Sequence, residues 1–339
     1  MPIMKRVVSL YADRSPLYEE LNERAKDYAR DLGLEYVWIS HEGYSPEAAV
    51  EALREADAGI IDVDPFNGEM FSRISDRCRL LVRYGVGFDA VDLEGATRAG
   101  VAVARTSGAN AQSVAEMALA MILAAKRLLV RARKVVESGV WSHSIGSELR
   151  GGRLGILGFG AIGRSLAEIT RGFELDLYVY DPFLPAGVAE RYGAHQEDLD
   201  TIFRECDAIS VHVPYTKQTH HLVNAERLAL MKRDAVIVCN SRGNVVDEEA
   251  LADALRKGRI LGAGLDVFAV EPLPADSPLL SLDNVLLAPH DSSQTTEALW
   301  NIYKCALDVT SDFFAGRELG KEFLLNPEYA ARARRKGGA

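Results

Sequence analysis

Arg242, Glu271 and His290 carry side chains that together could interconvert a carbonyl and an alcohol. A guanidinium clamps a carboxylate through paired hydrogen bonds. An imidazole donates or accepts a proton near neutral pH. A carboxylate beside that imidazole fixes its tautomer and favours its protonated form. Each of the three stands at or just beyond the end of an apolar run. Arg242 follows Ala235–Cys239, Glu271 follows Gly262–Phe268, and His290 follows Val285–Ala288. If those runs are strands of one open α/β sheet, all three residues collect at its carboxyl edge, where such sheets bind ligands.

The same half of the chain holds Gly158-Phe159-Gly160-Ala161-Ile162-Gly163 between an apolar run, Arg153–Leu157, and a helix-like stretch from Ile162 to about Gly172. A second apolar run, Leu175–Tyr180, ends at Asp181. Strand, glycine turn, helix, strand and acid is the order of a dinucleotide-binding βαβ unit. Gly158 permits the tight turn, Gly160 lets backbone approach a pyrophosphate, and Gly163 lets the helix pack closely on the strand. Asp181 is placed to accept hydrogen bonds from ribose hydroxyls and would repel a 2′-phosphate, which selects NAD over NADP. Arg242, Glu271 and His290 then supply what a 2-oxo acid reduced by NADH requires besides the hydride.

The surrounding pattern predicts two doubly wound parallel-sheet α/β domains. In the first hundred residues, strands are expected at Val7–Tyr11, Tyr36–Ile39, Gly59–Val63, Leu80–Arg83 and Val101–Ala104. Helices are expected at Pro16–Leu32 and at Pro46–Ala56, the latter capped by Ser45. One long helix, Ser113 to about Ser138, is expected to carry the chain between domains. Beyond the glycine motif come strands at Ala208–Val213 and the three named above, with helices at Asp198–Glu205, Ala225–Leu230 and Glu248–Lys257. A last helix, Thr295–Ala315, precedes a frayed tail at Ala330–Ala339. In the first domain, Arg83-Tyr84-Gly85-Val86-Gly87-Phe88-Asp89 follows a strand, and its backbone N–H groups could nest an anion.

Composition excludes several other classes. The 339 residues exceed one ordinary core. A net charge of −10 argues against nucleic acid and anionic membranes as partners. No apolar run is long enough to span a bilayer, and the N-terminus does not read as a signal peptide. Cys78, Cys206, Cys239 and Cys305 have no metal-ligand spacing, so no metal is expected, and they fit a reducing cytoplasm.

Together these motifs resemble the D-isomer-specific 2-hydroxyacid dehydrogenase family, most clearly from about Asp57 to Asn326. The most specific parts are Gly158–Gly163 with Asp181, Val211-His212-Val213-Pro214, Asn240–Gly243 with Val246-Asp247-Glu248, Gly264–Glu271, and Pro289-His290. The resemblance implies a Rossmann NAD-binding domain, residues 109–294, inserted into a smaller flavodoxin-like substrate domain, residues 1–108 and 295–339. It implies that Arg242 orients the substrate, that His290 is the proton donor in reduction and that Glu271 supports it. It places Thr106, Gly158, Phe159, Gly160, Ala161, Ile162, Gly163, Asp181, Val213, Pro214, Asn240, Ser241, Arg242, Asp266, His290 and Ser293 around NAD. It places Tyr84, Gly85 and Val86, with Arg242, on the substrate carboxylate. It implies a homodimer.

The chain departs from relatives in ways that bear on substrate. Asp62-Val63-Asp64-Pro65-Phe66-Asn67 stands where phosphoglycerate dehydrogenases commonly place an arginine, and two carboxylates would repel a phosphate. Met117 stands where many members carry His. After His290, Asp291-Ser292-Ser293-Gln294-Thr295 is more polar than in many relatives. These features favour a small unphosphorylated 2-oxo acid, with Phe66, Tyr84 and Trp141 as candidates to border its side chain. The alternatives are a 3-phosphoglycerate dehydrogenase, a formate or phosphite dehydrogenase with Arg83 as the added cation, or an NADH-sensing, corepressor-like interaction protein.

Overall fold

A computed structural model describes residues 4–10, 15–40 and 45–331. The chain divides into two compact units, Met1–Asn110 with Thr296–Ala339, and Ala111–Thr295. In the first unit, β1 (Lys5–Leu10), α1 (Pro16–Asp31), β2 (Leu34–Ile39), α2 (Pro46–Arg54) and β3 (Ala58–Ile61) come first. They are followed by α3 (Gly68–Ile74), β4 (Leu80–Arg83), α4 (Leu93–Ala99) and β5 (Ala102–Arg105). Among the described residues the strands form a parallel sheet in the order β2-β1-β3-β4-β5. The inner strands are apolar at nearly every position because both faces are covered.

The second unit begins with α5 (Ala111–Lys126) and α6 (Leu129–Glu137). Next come β6 (Arg153–Leu157), α7 (Ala161–Ile169), β7 (Asp176–Tyr180), α8 (Val188–Arg191), β8 (Ala194–Gln196), α9 (Leu199–Glu205) and β9 (Ala208–Val211). Then follow α10 (Ala225–Leu230), β10 (Val236–Cys239), α11 (Glu248–Arg256), β11 (Gly262–Leu265) and β12 (Val285–Leu287). The final helix, α12 (Thr296–Phe314), belongs to the first unit, where Leu299, Ile302 and Tyr303 pack into the core beside Leu80 and Val82. The seven strands of the second unit run parallel in the order β12-β11-β10-β9-β6-β7-β8. The order reverses between β6 and β9, so the crevice of a doubly wound sheet opens at their carboxyl ends.

Polar caps set many helix starts. Ser45 accepts the Ala48 N–H ahead of Pro46, and Asn67, Asp92, Asp198 and Asp247 cap α3, α4, α9 and α11 in the same way. The expected single helix over Ser113–Ser138 is two helices. Leu128 takes a left-handed conformation (φ +52) with its side chain buried, and the Lys126 carbonyl accepts the Ser147 N–H instead of continuing the helix. Both pieces lie in the second unit. Strands β9 and β11 end earlier than their apolar runs. The Phe268 N–H bonds to the Glu271 carboxylate rather than to a neighbouring strand. The short elements α3, α4, α8 and β8 escaped the hydrophobic pattern. Tyr11 of the first expected strand and residues 332–339 of the expected frayed tail lie outside the described residues.

Candidate active site

The glycine motif joins β6 to α7. Gly158 has φ +92, its N–H donates to the Tyr180 carbonyl at 2.8 Å, and a Cβ there would lie 2.9 Å from the His212 carbonyl carbon. A Cβ on Gly163 would overlap the Gly158 carbonyl oxygen. A Cβ on Gly160 would meet nothing within 4 Å. Two glycines are thus required by the protein's own backbone, while the third faces open space at the N-terminus of α7. Gly160 caps that helix without a side chain, leaving the first-turn N–H groups of Ala161 and Ile162 without helical partners. At the end of β7 the Asp181 carboxylate accepts the Phe159 N–H at 3.0 Å and the Phe183 N–H at 2.9 Å, one on each oxygen. Each oxygen keeps a lone pair for a further donor. An open glycine, a helix N-terminus and an oriented carboxylate on the neighbouring strand fit the pyrophosphate and ribose of a dinucleotide.

The catalytic candidates stand together on the β10–β12 side. His290 Nδ1 lies 2.9 Å from Glu271 Oε2, and Glu271 Oε1 accepts the Phe268 N–H at 3.0 Å. A carboxylate only accepts, so the Nδ1 position carries the proton and Nε2 is the nitrogen left to exchange one. About half of the His290 side chain is exposed (48%). Arg242 follows β10 in extended backbone and donates from Nη1 to the Ser241 carbonyl at 2.7 Å. The turn after it crosses tightly over the β11 loop, since a Cβ on Gly243 would overlap the Phe268 carbonyl. Glu248 Oε1 accepts the Ala269 N–H at 2.6 Å and pins the same loop from the other side.

Asp266 holds the backbone of the loop after β12. It is fully buried, and its carboxylate accepts the Asp291 N–H at 2.7 Å and the Ser292 N–H at 3.0 Å. Its main-chain carbonyl accepts the His290 N–H at 2.8 Å, with His290 held at φ +59. Buried Asn240 ties the same loop to β10 by donating to Ser292 Oγ at 2.8 Å. Ser241 Oγ lies 3.4 Å from Cys239 Sγ, and the Ser293 carbonyl accepts the Thr295 N–H. Val213 is buried and Pro214 exposed beyond β9. There His212 Nε2 pairs with Ser210 Oγ at 2.8 Å, and burial pushes its imidazole down to about 4. Sequence reasoning missed the loop-holding of Asp266, Asn240 and Ser292, because nothing local links residues 26 and 52 positions apart.

In the first unit the Tyr84–Gly87 loop is held from both ends. Thr106 is buried there, and its hydroxyl accepts the Gly85 N–H at 2.9 Å. The Tyr84 N–H donates to the Ile61 carbonyl, and among the described residues the Val86 and Gly87 N–H groups of the expected nest have no hydrogen-bond acceptor. The Tyr84 ring packs edge-on to Tyr303, and Phe66 packs on Phe71; both belong to the core rather than to a surface that could border a substrate. Trp141, in the second unit, is 87% exposed. Arg83 is buried and ion-paired to Asp62 at 3.3 Å. That pairing corrects the expected repulsion, because Arg83 offsets the Asp62 charge, and it engages the one cation considered for phosphite. Burial also raises the Asp62 carboxyl, against the pull of Arg83.

Fold and site define an NAD-binding oxidoreductase. Residues 119–292 match the model of the D-isomer specific 2-hydroxyacid dehydrogenase NAD-binding domain. The chain is 37% identical over 268 residues to a glyoxylate reductase of Korarchaeum cryptofilum (strain OPF8), covering 77% of this chain and 80% of that one. It is 36% identical over 312 residues to glyoxylate/hydroxypyruvate reductase B of Yersinia pestis (strain Pestoides F), covering 89% and 94%. Among solved structures, NAD-dependent formate dehydrogenase from Staphylococcus aureus in complex with NAD superimposes with a TM-score of 0.75 at 26% identity, over 94% of this chain and 98% of that one. The chain belongs to the D-isomer-specific 2-hydroxyacid dehydrogenase family. It is an NAD-dependent enzyme acting on CH–OH donors. Among the described residues no helix is long and apolar enough to cross a membrane, and no group of three or more His, Cys, Asp or Glu is arranged to hold a metal.

Proposed function

We propose that this enzyme interconverts a small, unphosphorylated 2-oxo acid and its D-2-hydroxy acid, with glyoxylate and hydroxypyruvate as the leading substrates. The observation that carries the proposal is the 2.9 Å pair between His290 and Glu271, at the same sheet edge as Arg242. When bound, NADH supplies the hydride that reaches C2. His290 gives its Nε2 proton to the oxygen on C2, and Glu271 stabilises the charged ring before that transfer. Arg242 holds the carboxylate and carbonyl oxygens. Asp181 holds the ribose. With Arg83 engaged by Asp62, and Asp64 two residues on, the loop after β3 offers a phosphate no buried cation. The glyoxylate reductase and glyoxylate/hydroxypyruvate reductase relatives support the substrate choice, and the D-3-phosphoglycerate dehydrogenases among the relatives make the phosphorylated acid the alternative.

The enzyme acts in this reading as a cytoplasmic homodimer. Helix α6 has no buried residue, and the segment after it exposes Trp141 and Ile145 (90%), an apolar surface suited to a second copy. The four cysteines are free thiols. The test is loss of NADH absorbance against glyoxylate, hydroxypyruvate, pyruvate, branched and aromatic 2-oxo acids and phosphohydroxypyruvate, with NADPH in parallel. Turnover of the small acids with NADH supports the reading, and preference for the phosphorylated acid overturns it.

A further inference from the structure

Val246-Asp247-Glu248 is a part of the sequence pattern to which the proposed reaction gives no role. Two of its residues serve the fold. Val246 is buried and pairs with Val223 in an isolated parallel bridge, and Asp247 caps α11 by accepting the Ala250 N–H at 3.0 Å. Glu248 does something else. It is the first residue of α11, and its Oε1 accepts the Ala269 N–H at 2.6 Å, 21 positions along the chain.

Phe268 and Ala269 lie beyond Leu265, the last residue of β11, and side chains take their N–H groups in place of a neighbouring strand. Phe268 donates to Glu271 Oε1 at 3.0 Å, and Ala269 donates to Glu248. The other oxygen of Glu271 lies 2.9 Å from His290 Nδ1. The peptide between Phe268 and Ala269 also lies against Gly243, the residue after Arg242, where an added Cβ would overlap it. That contact is a steric stop, which bars closer approach but does not prevent departure. The Glu248 hydrogen bond is the tie that keeps the peptide there. A hydrogen bond weakens steeply once its partners shift or turn, and a reacting group displaced by about 1 Å can lose on the order of a hundredfold in rate.

We propose that Glu248 is a positioning residue, which ties the Ala269 N–H to the first turn of α11 and so keeps the Glu271 carboxylate on His290. The inference rests on the proposed function, because it takes the Glu271–His290 pair to serve the proton transfer.

The test is a double-mutant cycle on kcat for hydroxypyruvate reduction, with NADH affinity measured in parallel. Glu248→Ala, Glu248→Asp and Glu248→Gln are each made with Glu271 intact and in Glu271→Ala. Asp keeps a carboxylate at the positive end of the helix but is one methylene too short to reach Ala269. Gln keeps both the reach and an accepting oxygen. With Glu271 intact, the Ala and Asp variants should lose about five- to twentyfold in kcat, Gln should stay within about threefold, and NADH affinity should change by less than about threefold. In Glu271→Ala the same Ala and Asp substitutions should cost less than about twofold, because nothing remains for Glu248 to position. A purely structural role would give the same loss in both backgrounds. Should Glu248→Ala fail to fold, Glu248→Asp carries the same comparison. Equal losses in the two backgrounds, a Gln variant no better than Ala, or wild-type kcat in the Ala and Asp variants overturns the inference alone. If the wild type binds NADH but turns over no 2-oxo acid, the proposed function falls and the inference falls with it.

Discussion

The His290 N–H donates to the main-chain carbonyl of Asp266, and the Asp266 carboxylate takes the next two N–H groups of the chain. One buried residue on the β11 edge therefore sets the backbone of the proposed proton donor on the β12 edge. Glu271 then sets its ring. Removing the Asp266 carboxylate leaves buried donors unsatisfied. Asp266→Ala is expected to cost about 2–4 kcal/mol in urea unfolding without cofactor, and to speed hydrogen exchange at the Asp291 and Ser292 amides. Unchanged protection at those two amides would mean that the loop is held by something else.

The glycines divide into those the fold needs and the one the cofactor needs. Gly160→Ala meets no neighbour in the protein, so its thermal stability should stay within about 1 °C of wild type. Its NADH affinity, read by fluorescence titration, should fall by on the order of tenfold or more, because the methyl group occupies the pyrophosphate approach. Gly243→Ala should behave in the opposite order. Its Cβ overlaps the Phe268 carbonyl, and the expected loss is more than about 3 kcal/mol, with activity lost alongside. Equal effects of the two substitutions on stability would refute this division.

Much of this was legible in the sequence because it is local. The glycine turn, the strand-end acid and the apolar runs fall within short windows, and Gly158, Gly163 and Asp181 have the backbone geometry their spacing implied. The helix break at Leu128 was not legible, since a buried leucine and a carbonyl bonded to Ser147 decide it. The core placement of Phe66 and the ring of Tyr84 was missed because an aromatic side chain reads alike at a pocket and in a core. The Asp62–Arg83 pair joins neighbouring strands, and no one-dimensional pattern carries such a pairing.

His212 gives the fold a pH dependence. Burial depresses its imidazole to about 4, against about 6.5 in an unfolded chain. Above pH ~6.5 the ring is neutral in both states, and its contribution to stability is fully present. As pH falls towards 4 the unfolded chain takes up the proton first, so stability is lost, by up to about 2 kcal/mol at pH ~5. Urea unfolding at pH 7.5 and 5 should show a smaller loss for His212→Gln than for wild type. Equal losses would place the acid sensitivity in other groups.

His290→Gln tests the central claim most directly, with glyoxylate or hydroxypyruvate turnover followed by NADH absorbance and NADH affinity by fluorescence. We predict that kcat falls by about 10²–10⁴-fold while the NADH dissociation constant changes by less than about threefold. Turnover close to wild type, or a folded variant that no longer binds NADH, would contradict the assignment of His290 as the proton donor.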